Sequence, residues 1–347
     1  MRVVMARRTL SNLPRFFPRK RVELRVPATS ANMGPGFDCL GIALTEYNLL
    51  AVERASSFGI DIVGEGVDSL PRDESNYYYR AFKLGFAASS PAGTPIPPVR
   101  LTCTNAIAPA RGMGSSSACL VSGVSAGFAL NGHDPSDGAT RERVFQICAE
   151  QEGHPDNVAP AVYGGLQLSF LPDEKGRFLT QDIGIHPAAQ GATAMLFIPD
   201  FELPTKEARA LLKPTVSRAD AVFNIARAAT VVNAFSAGKL ELLRWGAQDA
   251  LHQPQRGTLF PNDGLFKVLK AAMGAGAHGA WMSGAGPTIC AIVGGALPSA
   301  GGRGGRDAME LLVPSDVAAA MVAAADGAGM KGRLIMCQID TAGVQLI

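Results

Sequence analysis

The six cysteines, Cys39, Cys103, Cys119, Cys148, Cys290 and Cys337, include no Cys-x-x-Cys pair. Their scatter speaks against a zinc site and a disulfide framework and fits a reducing compartment. Charge is sparse as well: 18% of the 347 residues are charged, with a formal net charge of +2. That excess lies at the start, where Met1 to Arg21 hold seven Lys or Arg and no acid, leaving 25 basic residues against 30 acidic ones. The body is thus acidic and lacks the basic footprint of a nucleic-acid binder. Two long uncharged stretches, 112–133 and 271–302, are too rich in Gly, Ser and Pro for lipid-facing helices, so no membrane association is expected.

What is present is 47% hydrophobic residues, enough to bury a large core, over a length that sets a prior of about two domains. The basic arm, 1–20, is acid-free like an organellar transit segment, but has only Thr9 and Ser11 as hydroxyl residues. The expected location is cytoplasmic, with an organelle such as a plastid the alternative if the arm is a cleaved transit segment.

Alternation of Val22, Leu24 and Val26 with charged residues predicts a strand, and Cys39 to Leu44 a second apolar segment. Tyr79 to Phe86 reads as helix, Val99 to Ile107 as strand, and the 3 to 4 residue spacing of Leu120, Val121, Val124 and Phe128 as a helix from Ser115 to Asn131. Arg141 to Gln151 is a further helix and Leu166 to Phe170 a strand. The pattern restarts near residue 190: strand Ala192 to Ile198, helices Lys206 to Leu212, Ala219 to Ala237, Leu240 to Leu251 and Phe266 to Met273, strand Thr288 to Val293, helix Ser315 to Ala325 and strand Gly332 to Ile339. Two mixed blocks predict an α+β protein with units at 21–185 and 186–347.

Three small-residue loops carry the chemistry. Pro109-Ala-Arg-Gly-Met-Gly-Ser-Ser-Ser-Ala118 opens a helix, whose unpaired N–H groups behind glycines suit a phosphate. It lacks the Gly-Lys-Ser/Thr of a Walker loop and the third Gly of the dinucleotide fingerprint, which argues against an oxidoreductase. Ala31-Asn-Met-Gly-Pro-Gly-Phe-Asp38 sets an amide and a carboxylate in a stiff turn, and Met282-Ser-Gly-Ala-Gly-Pro-Thr288 leads straight into an apolar strand. Each alone reads equally well as an ordinary turn.

In this order the three loops resemble the signature motifs of the galactokinase, homoserine kinase, mevalonate kinase and phosphomevalonate kinase superfamily, the GHMP kinases. The resemblance spans residues 21–347. Glu152-Gly-His-Pro-Asp-Asn-Val-Ala-Pro160 with Tyr163-Gly-Gly165 is similar to homoserine kinases rather than to their sugar or mevalonate relatives. It implies a two-domain α+β fold, an N-terminal α/β half and a C-terminal ferredoxin-like half with the site in the cleft, and ATP- and Mg²⁺-dependent phosphorylation of L-homoserine. Under it Asn76, Pro109, Arg111, Gly112, Met113, Gly114, Ser115, Ser116 and Ser117 hold the nucleotide, Asn76 being the adenine contact. Ser116 and Glu152 are the metal ligands, with Glu150 the alternative acid. Asn32, Asp38, His154, Asp156 and Asn157 surround the amino and hydroxyl ends of the substrate, with Asp38 or Asn157 orienting the hydroxyl, and Arg209 and Arg256 clamp its carboxylate. Met113 and Ser117 depart from the commoner Leu and Ala, and the loop Gly301 to Arg306 looks inserted. The alternatives are a mevalonate-type kinase and a non-catalytic metabolite-binding regulator; a homodimer is left open.

Overall fold

The computed structural model describes residues 18–170, 174, 176–294 and 308–347. The basic arm up to residue 17 and the loop Gly301 to Arg306 lie outside the described residues. Strand β1 (Arg21–Ala31) buries Val22, Leu24 and Val26 and pairs antiparallel with β2 (Leu40–Arg54). Register slips between Pro27 and Ala28, leaving Thr45 and Glu46 of β2 unopposed, a bulge that bends the strand pair. The chain continues through β3 (Gly59–Gly64), α1 (Tyr77–Ser89), β4 (Val99–Asn105), α2 (Ser115–Leu130), α3 (Gly138–Glu152), α4 (Val158–Tyr163), β5 (Leu166–Phe170) and β6 (Leu179–Asp182).

A second block follows: α5 (Pro187–Gln190), β7 (Ala192–Pro199), α6 (Thr205–Ala210), α7 (Arg218–Ser236), α8 (Leu243–Gly246), α9 (Gln253–Arg256), α10 (Gly264–Gly274), β8 (Gly279–Met282), β9 (Ile289–Gly294), α11 (Ala308–Gly327), β10 (Gly332–Gln338) and β11 (Gln345–Leu346). The first sheet runs β11-β1-β2-β4-β3, with β5 beside β2 and β6 beside β5; only β3 and β4 are parallel. The second, β10-β7-β9-β8, is antiparallel, the βαββαβ order of a ferredoxin-like unit.

Because side chains alternate across a strand, β7 serves two cores. Ala194, Leu196 and Ile198 join the core of the first sheet, while Met195 and Phe197 pack with Leu265, Val268 and Met321 of α10 and α11. Helix α2 is buried on nearly every side, so its apolar residues run around the whole circumference rather than along one stripe. Burying Leu120, Val121, Val124 and Phe128 contributes about 1.5–3 kcal/mol each and fixes where the helix begins.

Several elements differ from the sequence pattern. The apolar segment Cys39 to Leu44 is only the start of a 15-residue strand, because beside the bulge the inward positions 46 and 48 hold Glu and Asn, which interrupt the apolar alternation before Leu50 and Val52 resume it. Asn48 is polar yet buried: its Nδ2 donates to the Tyr78 hydroxyl at 2.9 Å and its Oδ1 accepts from the backbone of Ala106 and Ile107. The helix expected over Leu240 to Leu251 stops at Gly246, since Asp249 turns the chain by accepting the N–H groups of Leu251, His252 and Gln253. The short elements α4, β6, β8 and β11 carry no readable period, and in β3 the alternation of Ile60 and Ile62 about Asp61 is too brief to stand out.

Candidate active site

Helix α2 reaches the cleft with Gly114 before it in the left-handed region, φ 70°, and no side-chain cap. A Cβ on Gly114 would stand 1.9 Å from Thr29 Oγ1, and one on Gly112 2.3 Å from the Ser283 carbonyl, so the loop lies flat against two other segments only because both are glycine. The first backbone return is Ala118 N to the Gly114 carbonyl at 2.8 Å. The N–H groups of Ser115, Ser116 and Ser117 therefore precede the intrahelical ladder, at the positive end of the dipole, and these residues line the cleft.

The cleft encloses about 320 Å³ and gathers most of the predicted residues. Asn32 and Asp38 enter from the turn between β1 and β2, Arg111, Gly112 and Gly114 from the phosphate-type loop, and Glu152 from the end of α3. His154, Asp156 and Asn157 come from the α3 to α4 turn, Arg209 from α6 and Arg256 from α9. A larger hollow of about 580 Å³, which includes Glu46, Asp68 and Arg333 in its wall, contains none of them.

Three predicted nucleotide contacts do not line this cleft. Asn76 does not line the cleft; its Oδ1 caps α1 by accepting from Tyr78 N at 2.9 Å and its Nδ2 donates to the Pro71 carbonyl. Met113 is buried in the core, its carbonyl accepting from Thr29 N at 3.1 Å, and Pro109 stands before the lining residues begin. Of the two acids, Glu152 is the one beside Ser116: Ser116 Oγ donates to its Oε1 at 2.8 Å, whereas Glu150 is exposed and outside the lining.

Opposite charges divide the cleft. Arg209 forks onto Asp38, Nη1 and Nη2 each 2.8 Å from a carboxylate oxygen, and this hydrogen bond holds the guanidinium more firmly protonated. His154 Nδ1 lies 2.8 Å from Asp156 Oδ1. Burial alone would lower the His154 pKa, but the hydrogen bond and charge of Asp156, joined by Glu152 and Asp38, outweigh it and raise the pKa above 6.5. Arg256 is the outlier. Only 1% exposed, it makes no ion pair among the described residues; Nε faces the Ala208 carbonyl at 3.4 Å and Nη1 the Gly284 carbonyl at 3.3 Å. Burial first, then the charge of Arg209, lowers its pKa to about 10.

Sequence reasoning missed Thr205, which lines the cleft, and Phe37, whose ring lies 5.4 Å from the Arg209 guanidinium carbon and 5.2 Å from that of Arg256. Phe37 stands inside the first motif, but nothing in its spacing says that its ring meets two cations. Asp38, His154 and Asp156 bring three ligand atoms within 4.8 Å of one another, an electronegative corner suited to a cation.

The family models for the GHMP kinases N terminal domain and the GHMP kinases C terminal match residues 76–165 and 233–300. The chain belongs to the GHMP kinases. Within them it falls with the homoserine kinases: that of Desulfitobacterium hafniense is 43% identical over 272 residues, 78% of this chain and 87% of the relative. The homoserine kinase of Deinococcus radiodurans is 42% identical over 272 residues, 78% and 84% of the two chains. Among solved structures, homoserine kinase from Cytophaga hutchinsonii superposes with a TM-score of 0.77 at 24% identity, covering 95% of this chain and 98% of that one. Mevalonate kinase of L. major in complex with R-mevalonate shares the fold at a TM-score of 0.63 and 14% identity, covering 94% and 99%.

Proposed function

We propose that this protein transfers the γ-phosphoryl group of ATP to the side-chain hydroxyl of L-homoserine, giving O-phospho-L-homoserine. The observation that carries the reading is Arg256, a buried guanidinium that makes no ion pair among the described residues and lines the same cleft as Asp38, His154 and Asp156. A buried cation left unpaired is costly, so the site is built for a ligand that brings an anion to Arg256 and a cation to the acidic corner. An amino acid does both; mevalonate supplies only the anion.

The division of labour follows from the walls. Backbone N–H groups of Ser115 to Ser117 face the phosphates from the positive end of α2 and stabilise charge that develops during transfer. Ser116 and Glu152 offer hard oxygen ligands 2.8 Å apart and would hold Mg²⁺, which when bound neutralises phosphate oxygens. Asn157 Oδ1 accepts from Thr29 Oγ1 at 2.8 Å, so its amide nitrogen is the end left to orient the substrate hydroxyl. Phosphoryl transfer has a loose transition state in which positioning outweighs a strong base. Asp38 takes the ammonium while Arg209 and Arg256 take the carboxylate. A coupled ADP-release assay across L-homoserine, mevalonate, galactose and threonine tests the reading: rapid Mg·ATP turnover is expected with L-homoserine alone, and an equal specificity constant for mevalonate or galactose would sink it.

A further inference from the structure

His252 is fully buried beside the cleft and outside its lining, and both of its ring nitrogens are engaged. Nε2 lies 2.7 Å from the Gly34 carbonyl, in the turn that carries Asn32 and Asp38; Nδ1 lies 3.3 Å from Arg256 Nη1. A carbonyl can only accept and a guanidinium can only donate. The two bonds are therefore compatible with one state alone, the neutral ring with its proton on Nε2. Its other neighbours favour that state. Burial above all lowers the pKa, with the Arg256 charge acting the same way; Asp249 Oδ2, 3.6 Å from Nε2, works against it but draws the remaining proton to that side. The ring centroid is 5.3 Å from that of Phe37, the same ring that contacts Arg209 and Arg256.

The backbone beneath His252 is equally constrained. Asp249 Oδ2 accepts from His252 N at 2.9 Å and Gln253 N at 2.7 Å, and its Oδ1 accepts from Asn224 Nδ2 at 2.8 Å. The imidazole thus bridges two segments that are 218 residues apart, and its lone pair is the only side-chain acceptor that Arg256 has among the described residues.

We infer that His252 is a positioning residue for substrate recognition: through Nδ1 it aims the Arg256 guanidinium into the cleft, while the Nε2 bond to the Gly34 carbonyl fixes which ring nitrogen carries the proton. This rests on the carboxylate reading of Arg256 and adds to it the group that sets the direction of the fork.

Two substitutions separate the two bonds. Gln at 252 places an amide nitrogen near the old Nε2 and keeps the donor to Gly34; Asn places an oxygen near the old Nδ1 and keeps the acceptor for Arg256. His252→Gln should raise the KM for L-homoserine about tenfold or more, the loss expected for one hydrogen bond to a charged group. The KM for ATP should move less than about twofold, and His252→Asn should recover most of the homoserine affinity. Equal losses in both variants, or parallel rises in both KM values, would overturn the inference in favour of packing alone. Arg256→Lys, run beside them, distinguishes the two failures: no effect of that change on homoserine refutes the carboxylate reading itself. Should either His252 variant fail to fold, ¹⁵N spectra of the histidine ring in the native enzyme decide the matter. The inference requires a protonated Nε2, and an Nδ1 resonance that shifts with L-homoserine but not with 3-aminopropan-1-ol, which has no carboxylate. A ring protonated on Nδ1 overturns it.

Discussion

Arg209 and Arg256 carry the same charge in different surroundings, and Lys at the two positions should fail for different reasons. Arg209 already spends its fork on Asp38. A Lys there keeps a point charge beside the acid but loses the two parallel bonds that fix its direction. Arg256 is buried without a partner carboxylate among the described residues, so Lys would be left with a desolvated ammonium that readily loses its proton. Losing a charge-assisted contact costs about 1.5–3 kcal/mol, or roughly 10- to 150-fold in homoserine affinity, with ATP affinity near the native value. A cycle of each Arg→Lys change against a methyl ester of the substrate measures the coupling, and values near zero for both would exclude a carboxylate clamp. The acidic corner gives a second residue-scale expectation. Because the folded-state pKa of His154 is raised, its protonation stabilises the fold fully below pH 6.5, and that contribution disappears as pH rises through the folded value. Asp156→Asn removes the leading favourable cause and leaves burial, which acts the other way, so the ¹H NMR titration of His154 should move to lower pH. An unmoved midpoint would mean that Asp156 does not hold the proton.

At the scale of elements, legibility followed period. Helix α2 starts at Ser115, as the spacing of Leu120, Val121, Val124 and Phe128 had it, because a helix packed on several sides still shows a dense apolar run bounded by Gly. Only the start of strand β2 is legible, since beside the bulge the inward positions 46 and 48 hold Glu and Asn, which interrupt the apolar alternation before Leu50 and Val52 resume it. Asn76 illustrates a limit of another kind: an Asn before a helix serves as a cap or as a ligand contact, and the composition is the same in both cases. Likewise Glu150 and Glu152 are equivalent on paper. They become distinct only when α3 ends at Gly153, with the helix turned so that Glu152 reaches Ser116 and Glu150 faces outward. Ser116→Ala and Glu152→Gln should therefore each weaken the Mg²⁺ dependence of turnover, with the midpoint of the titration moving to higher Mg²⁺, while homoserine binding without nucleotide changes little. Glu150→Gln should leave the titration where it was; a shift there and none for Glu152→Gln would transfer the ligand role.

Across the whole molecule, the two blocks are not separate beads on a string. The inner face of β7 belongs to the first core, and the chain ends by returning to the first sheet, where β11 pairs with β1 and Ile347 N donates to the Glu23 carbonyl at 2.9 Å. Asp340 ties that return into place: its Oδ1 accepts from Ala342 N and Gly343 N, its Oδ2 from the Tyr47 hydroxyl, and its backbone exchanges with Ala43 and Gly165. Arg141 of α3 adds contacts to the Ala342 and Val344 carbonyls. A shared core and a shared sheet couple the halves, so calorimetry should give one cooperative transition rather than two. Removing residues 341–347 exposes the pocket of buried Val344 and frees the edge of β1. Restoring one such side chain to water costs about 1.5–3 kcal/mol, and with about 2 °C per kcal/mol for a chain of this size the midpoint should fall by roughly 5 °C. The fall should move the whole transition, and homoserine affinity should weaken alongside it only near the lowered midpoint, because no residue of the tail lines the cleft. A trace that splits into two peaks, with only the first displaced, would show instead that the cleft lies between two independently folding halves, and that the tail braces the first of them alone.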